Sequence, residues 1–233
     1  MPHLSHSCTD CPVSDCLIAR YCSPEWKSML DKHNTIVFYK TGQQIIYEKY
    51  PVDGIYFIRQ GKAKVYKSGI NGQQQTIRLA KSGDILGHRG MNRKYWPISS
   101  STLEDSYICF IPKDIFENIL MNNLMMTYHL LLFFTNELYH SEKIIKALAL
   151  FTVCEKVAYS LLKIDEAFAS ENDKTLGAQL SRKDIAEIAG TTKEQVSRHL
   201  ANFKKEKLIS LQGKNIIVLD RERLEAAANY FSE

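Results

Sequence analysis

The sequence predicts an α+β protein in which short antiparallel strands come first and helices follow, with a small hairpin near the end. Three observations predict it. Between Asn34 and Pro112 six short runs rich in β-branched and aromatic residues are separated by turn signals. After Pro112 the apolar residues step by three and four, the period of a helix. From Ser181 two cappable helical segments flank a glycine, and a second strand pair follows at once.

Composition narrows the field first. The chain has 233 residues, 45% hydrophobic and 24% charged, with 11 Gly and 6 Pro, which suits a globular protein and excludes a mostly disordered one. A net charge of +4 permits a polyanionic partner without demanding one. The start, MPHLSHSCTDCPVSD, has no basic run followed by an apolar one, so no signal peptide is expected. The 19 residues Asn118 to Asn136 carry no acid, Lys or Arg, yet their longest unbroken apolar run is only Leu130 to Phe134. A span needs about 20 predominantly apolar residues, so this is read as a buried or intersubunit helix. A cytoplasmic protein with no membrane partner is expected, in which the six cysteines are not structural disulfides. No nucleophile elbow, phosphate-binding loop or paired-carboxylate motif is present, and no enzyme is expected.

The first element is a cysteine-rich segment, residues 1–30. Cys8, Cys11, Cys16 and Cys22 crowd it, while Cys109 and Cys154 stand alone. The spacing Cys8-x2-Cys11-x4-Cys16 points to a soft-metal or cluster site, because closely spaced thiolates converge on one centre. Such a site wants four ligands and the trio provides three. Cys22 would complete an all-local zinc site made of four cysteines, and Cys109 would clip the segment to the next domain. Local chemistry does not choose between them. Cys154 reads as a small buried helix residue.

The second element, residues 31–112, holds the strands: 36–39, 44–47, 55–58, 63–66, 76–79 and 107–111. Thr41-Gly42, Asp53-Gly54, Gln60-Gly61, Asn71-Gly72 and Ser82-Gly83-Asp84 mark the turns. Regular spacing of many short strands means an antiparallel barrel, roll or sandwich.

The third, residues 113–146, is a long helix. Leu120, Leu124, Thr127, Leu131, Phe134, Leu138, Ser141 and Ile145 form a heptad seam. That helix carries more apolar surface than one small β domain covers, so pairing with a second copy of the chain is expected.

The last, residues 147–233, carries the clearest functional signal. Ser181 can cap one helix with Asp184 three residues on, Gly190 supplies a permissive turn, and Thr191 or Thr192 caps a second helix. On that helix Val196, Leu200 and Phe203 face inward, while Glu194, Ser197 and Arg198 face outward. A helix so placed can enter the major groove of double-stranded DNA, where Arg grips guanine and Glu accepts from cytosine. Residues 181–214 hold eight Lys or Arg against four Asp or Glu. Arg182, Thr192, Lys193, Lys204 and Lys214 are the candidate phosphate contacts. The hairpin that follows, with Gln212 to Asn215 as its turn, is the expected wing.

This order of β-roll, pairing helix and winged helix-turn-helix resembles the Crp–Fnr superfamily of transcription regulators across nearly the whole chain. Gly42, Asp53-Gly54-Ile55-Tyr56-Phe57-Ile58, Gly61 and Gly83-Asp84-Ile85-Leu86-Gly87 look like its roll signatures. Glu194, Ser197 and Arg198 reproduce the Fnr pattern E-x-x-S-R, and Leu103 to Pro112 resembles the Fnr stretch bearing the fourth cluster cysteine. The resemblance implies a homodimer, TTGAT half-sites in an inverted repeat, and a [4Fe–4S] cluster on Cys8, Cys11, Cys16 and Cys109 that senses oxygen, or another redox signal or nitric oxide. It implies RNA polymerase as a partner of the loop His88 to Ile98, through Arg89, Arg93, Lys94 and Tyr95. Where the cyclic-AMP branch needs an Arg-Ser pair and an acid, this chain has Trp96-Pro97 and His88, so no cyclic nucleotide is expected. Fnr proteins commonly place five residues between the second and third cysteines; here there are four, and Cys22 is an alternative third ligand. A zinc-structured or thiol–disulfide-switched regulator is the alternative reading, beside a small-ligand sensor that acts through protein contacts alone.

Overall fold

The structure is a computed structural model, and it describes residues 7–168, 176, 180–213 and 215–229. Two short helices open it, α1 (Leu17–Tyr21) and α2 (Pro24–Leu30). Pro24 suits the first turn of α2, where its missing N–H leaves no bond unmade.

Eight strands follow: β1 (Thr35–Tyr39), β2 (Gln44–Ile46), β3 (Gly54–Gln60), β4 (Lys62–Ser68), β5 (Gln74–Lys81), β6 (Ile85–Leu86), β7 (Ser99–Thr102) and β8 (Ser106–Pro112). They make two four-stranded sheets, ordered β1-β8-β3-β6 and β2-β7-β4-β5. The expected β-roll and the six expected strands are present. Two strands are additional, the short β6 and β7; β7, Ser99-Ser100-Ser101-Thr102, is buried throughout and has no apolar side chain to announce it. Two of its hydroxyls are satisfied internally: Ser100 Oγ donates to Lys64 O at 3.1 Å and Thr102 Oγ1 to Lys40 O at 2.6 Å. Burial of groups so paired costs little. Between β3 and β4, Gly61 takes φ +111°, and a Cβ there would fall 2.1 Å from Ser106 Oγ. No other residue fits that turn.

The expected single helix over residues 113–146 is two helices, α3 (Lys113–Asn122) and α4 (Leu124–Leu150). Asn123 breaks the run with φ −127° and ψ 85°. Its Oδ1 accepts from Ser23 N at 3.1 Å and its Nδ2 donates to Ile119 O at 3.3 Å, so the break is built around a side chain reaching the cap of α2. Leu120, placed on the seam by its spacing, therefore stands on α3 and is half-buried.

The helical C-terminal part contains α5 (Val153–Phe168), α6 (Arg182–Ala189), α7 (Lys193–Lys205), the hairpin β9 (Ile209–Gln212) and β10 (Asn215–Val218), and α8 (Arg221–Ala227). Leu161, Ile185, Val196, Leu200, Phe203 and Leu224 are among its buried side chains. Cys154 on α5 is half-buried rather than enclosed.

The chain divides into two compact units, one taking in residues up to Lys67 and Ala80–Tyr139, the other Ser68–Leu79 and the chain from His140 on. In the first, the cysteine-rich segment belongs to the core itself: Ile18, Cys22 and Leu30 pack with Ile55, Phe57, Ile111, Phe116, Ile119, Met126 and Leu130. Tyr21 stacks on His129 of α4 with ring centroids 3.5 Å apart. Among the described residues, no helix is long and apolar enough to cross a membrane.

Candidate metal centre and nucleic-acid interface

Residues far apart in sequence meet at one pocket of the first unit. Cys8, Cys11, Cys16 and Cys109 line it, together with Asn34 and the apolar Ile18, Phe57 and Ile111. β8 carries Cys109 between Ile36 of β1 and Phe57 of β3 in register, which sets its thiol among the three that precede α1. Cys22 does not line the pocket. It ends α1 and is 5% exposed, packed into the core. Spacing could not separate Cys16 from Cys22, whereas in the fold Cys16 lines the pocket and Cys22 is buried in the adjoining core.

Two side chains steady the leading cysteine. Asn34 Nδ2 donates to Cys8 Sγ at 3.1 Å. Asp31 accepts from the Cys8 backbone N–H, from Thr9 Oγ1 at 3.0 Å and from Ser7 Oγ at 3.1 Å. Burial raises the Asp31 pKa, but these donors outweigh it and hold the carboxyl below its ordinary value.

The thiols themselves resist ionisation. Burial pushes Cys16 up to about 11. Burial and then the neighbouring Cys8 push Cys109 up to about 12, with Arg59 acting the other way. Cys8 is raised by burial, partly offset by Asn34. Four thiolates can share this space only if a positive centre among them supplies the missing charge. Among the described residues, no three His, Cys, Asp or Glu draw together closely enough to hold a single ion. Four thiols lining one pocket match the donor type of an iron–sulfur centre, which is held by cysteine thiolates.

Trp96 and His88 are both packed side chains. The Trp96 ring is buried so closely over Gly87 and Gly90 that a Cβ on Gly90 would lie 2.5 Å from it. His88 is buried edge-on to Phe133 and Phe134, with Nε2 3.5 Å from Glu137 Oε2. In the neighbouring loop Arg89 is tied to Glu137 at 3.0 Å, while Arg93, Lys94 and Tyr95 are exposed.

The second unit presents the reading face. Ser181 and Asp184 form a reciprocal capping box on α6. Gly190 ends that helix in the left-handed conformation at φ +60° and ψ 44°. Thr192, of the two threonines that could cap α7, is the one that does, accepting from Gln195 N at 3.3 Å. Val196, Leu200 and Phe203 are buried on one side of α7. Glu194, Ser197 and Arg198 are exposed on the other, with Thr192, Lys193 and Lys204 also exposed and Arg182 half-buried. Arg198 reaches Gln195 Oε1, and Ser197 Oγ donates to Lys193 O at 2.9 Å. Lys214 lies outside the described residues.

The helix seam lies open. Leu124, Leu131, Leu138 and Ile145 are 82%, 62%, 62% and 65% exposed, and Thr127 and Phe134 are exposed beside them. Ser141 is half-buried.

A β-roll ahead of a long helix and a capped helix pair with a hairpin wing is the architecture of a DNA-binding transcription regulator. Residues 36–123 match the cyclic nucleotide-binding domain family and residues 155–227 the Crp-like helix-turn-helix domain family. The chain is 26% identical to the fumarate and nitrate reduction regulatory protein of Vibrio cholerae, over 94% of this chain and 91% of that one. It is 27% identical to the transcriptional activator protein FnrL of Cereibacter sphaeroides, over 96% and 92%. The solved structure of FixK2 from Bradyrhizobium japonicum superposes with a TM-score of 0.77 at 23% identity, covering 86% of this chain and 98% of that one. The chain belongs to the Crp–Fnr family, whose regulators bind DNA, act as dimers and catalyse no reaction.

Sequence reasoning missed Asp31, Asn34 and Asn123. Nothing local marks them, because each acts on at least one partner 22 or more residues away.

Proposed function

We propose that this chain is an Fnr-type regulator of transcription whose grip on DNA is governed by oxygen, or by a related redox signal, through a [4Fe–4S] cluster held by Cys8, Cys11, Cys16 and Cys109. The observation that carries this reading is the pocket itself, where Cys109 joins the three leading thiols from about a hundred residues away. When bound, such a cluster supplies a centre that oxygen attacks and that ties the N-terminal segment to the roll.

The chain's own residues do the rest. The segment packs on α3 and on the first turns of α4 through Ile18, Cys22 and Tyr21, and it bonds Asn123 at the helix break. Its position thus bears on the helix whose seam, Leu124 to Ile145, pairs two copies, with Leu120 at its margin on α3. Pairing sets two copies of α7 on one two-fold axis, which an inverted repeat matches. Arg198 and Glu194 read the base pairs of TTGAT-type half-sites and Ser197 packs beside them. Thr192, Lys193, Lys204, Arg182 and Lys214 meet phosphates. Arg93, Lys94 and Tyr95 offer RNA polymerase an exposed surface. A cyclic nucleotide has no place in this scheme, since by resemblance this chain has Trp96-Pro97 and His88 near the positions where the phosphate and ribose partners are needed.

The test is anaerobic purification followed by iron and sulfide assay, absorbance, and gel shifts on a TTGAT inverted repeat with and without air. Wild type is expected to carry iron and sulfide and to lose DNA affinity in air, and Cys109→Ala to lack both properties. Zinc in place of iron, or an iron-free wild type that matches Cys109→Ala, overturns the sensing model and leaves the DNA reader standing.

A further inference from the structure

We infer that Asn34 tunes the thiolate centre: its side-chain amide donates to the Cys8 sulfur and so governs how readily the centre gives up an electron. This deepens the iron–sulfur reading and rests on it.

Asn34 stands between α2 and β1, and both fix its backbone. Its N–H donates to Leu30 O at 2.8 Å. Thr35 and Ile36, the next two residues, pair with Phe110 and Cys109 of β8, so one strand pair brings Asn34 and Cys109 to the same pocket. From there the side chain reaches back 26 residues, and its Nδ2 donates to Cys8 Sγ at 3.1 Å. Among the described residues, no other side chain donates to any of the four sulfurs. The other end of the amide is left over: Oδ1 is enclosed and meets no donor among the described residues.

A buried acceptor without a partner is costly, and an apolar side chain of similar size beside Ile18, Phe57 and Ile111 would avoid that cost. One bond to a neutral thiol does not offset it, because a thiol sulfur is a weak acceptor. A metal-bound thiolate carries negative charge and accepts more strongly. The amide therefore suits a ligating Cys8 better than a free one. An N–H donated to a ligating sulfur draws electron density from it and stabilises the more electron-rich state of the centre. Loss of one electron to dioxygen, which becomes superoxide, leaves the less electron-rich state, so Asn34 opposes that transfer.

The test compares full-length wild type with Asn34→Leu, which keeps the size of the side chain and removes the donor. Both are purified without oxygen and assayed for iron and sulfide. The readouts are the midpoint potential, the rate of absorbance bleaching in air, the shift of the iron–sulfur stretching bands on exchange into heavy water, and melting of the metal-free proteins. Asn34→Leu is expected to show a more negative potential and a smaller deuterium shift. It should bleach about tenfold faster, the low end of what losing an outer partner costs at a metal site. Metal-free Asn34→Leu should melt no lower than metal-free wild type, since it carries no orphaned acceptor. If leucine keeps the cluster from loading, Asn34→Ala, which lacks the donor and adds no bulk, carries the same comparison. A loaded variant with the potential and deuterium shift of wild type overturns the inference, whatever its bleaching rate, and leaves the cluster reading intact. A wild type without iron and sulfide overturns both.

Discussion

Cys8 is held from two directions, by a side-chain amide on its sulfur and a carboxylate on its backbone N–H. Replacing Asp31 with Ala removes three acceptor contacts, each worth about 1 kcal/mol or somewhat more where the acceptor is charged. Metal-free Asp31→Ala should therefore stay folded while its Cys8 is alkylated several-fold faster than in wild type; an unchanged rate would show that Asp31 does not order the loop. On the reading helix, Arg198 lies exposed and lightly held by Gln195. Arg198→Ala should cost about 1–3 kcal/mol on the preferred site and relax choice at the guanine, measured by gel shift on single-base variants. Equal loss on every variant would make it a phosphate contact. At this scale the sequence is uneven. The leading trio of cysteines is legible from spacing, and the outward triad of α7 from helical period. Cys109 is joined to that trio only through family resemblance, because strand pairing sets the meeting and spacing is blind to it. Asn34 is one polar residue in a connecting stretch, and the sulfur its amide meets is set by the fold.

Elements follow the same division. β-branched strands and capped helices are legible because their signals are local. β7 is not, since four hydroxyl side chains carry no apolar alternation, and their burial depends on acceptors supplied from elsewhere in the roll. The break between α3 and α4 is hidden for a similar reason: Asn123 answers to Ser23, a hundred residues earlier. Ser181→Ala should remove the capping box of α6 and cost about 1 kcal/mol, read as a lower melting temperature. For α4 the expectation is larger. Leu131→Asp or Leu138→Asp sets a charge in the middle of the exposed seam and should convert dimer to monomer in sedimentation analysis, while the melting of the monomer changes little. Persistence of the dimer would move the interface elsewhere.

For the molecule as a whole, the cysteine-rich segment is continuous with the core that backs α3 and α4, and its loss is expected to disturb that core. Removing Ile18 and Leu30 together by Ala substitution should cost several kcal/mol, since buried Leu or Ile to Ala changes cost about 2–5 kcal/mol each. Chemical denaturation would measure it, and a shift of less than about 1 kcal/mol would mean the segment merely rests on the surface. The apolar stripe left bare on α4 carries one more consequence. A stripe completed only by a second copy obeys mass action, so the paired fraction depends on how many copies a cell makes as well as on the state of each. Expression level then becomes a dial for assembly: an abundant population stays largely paired, and a scarce one divides into single copies.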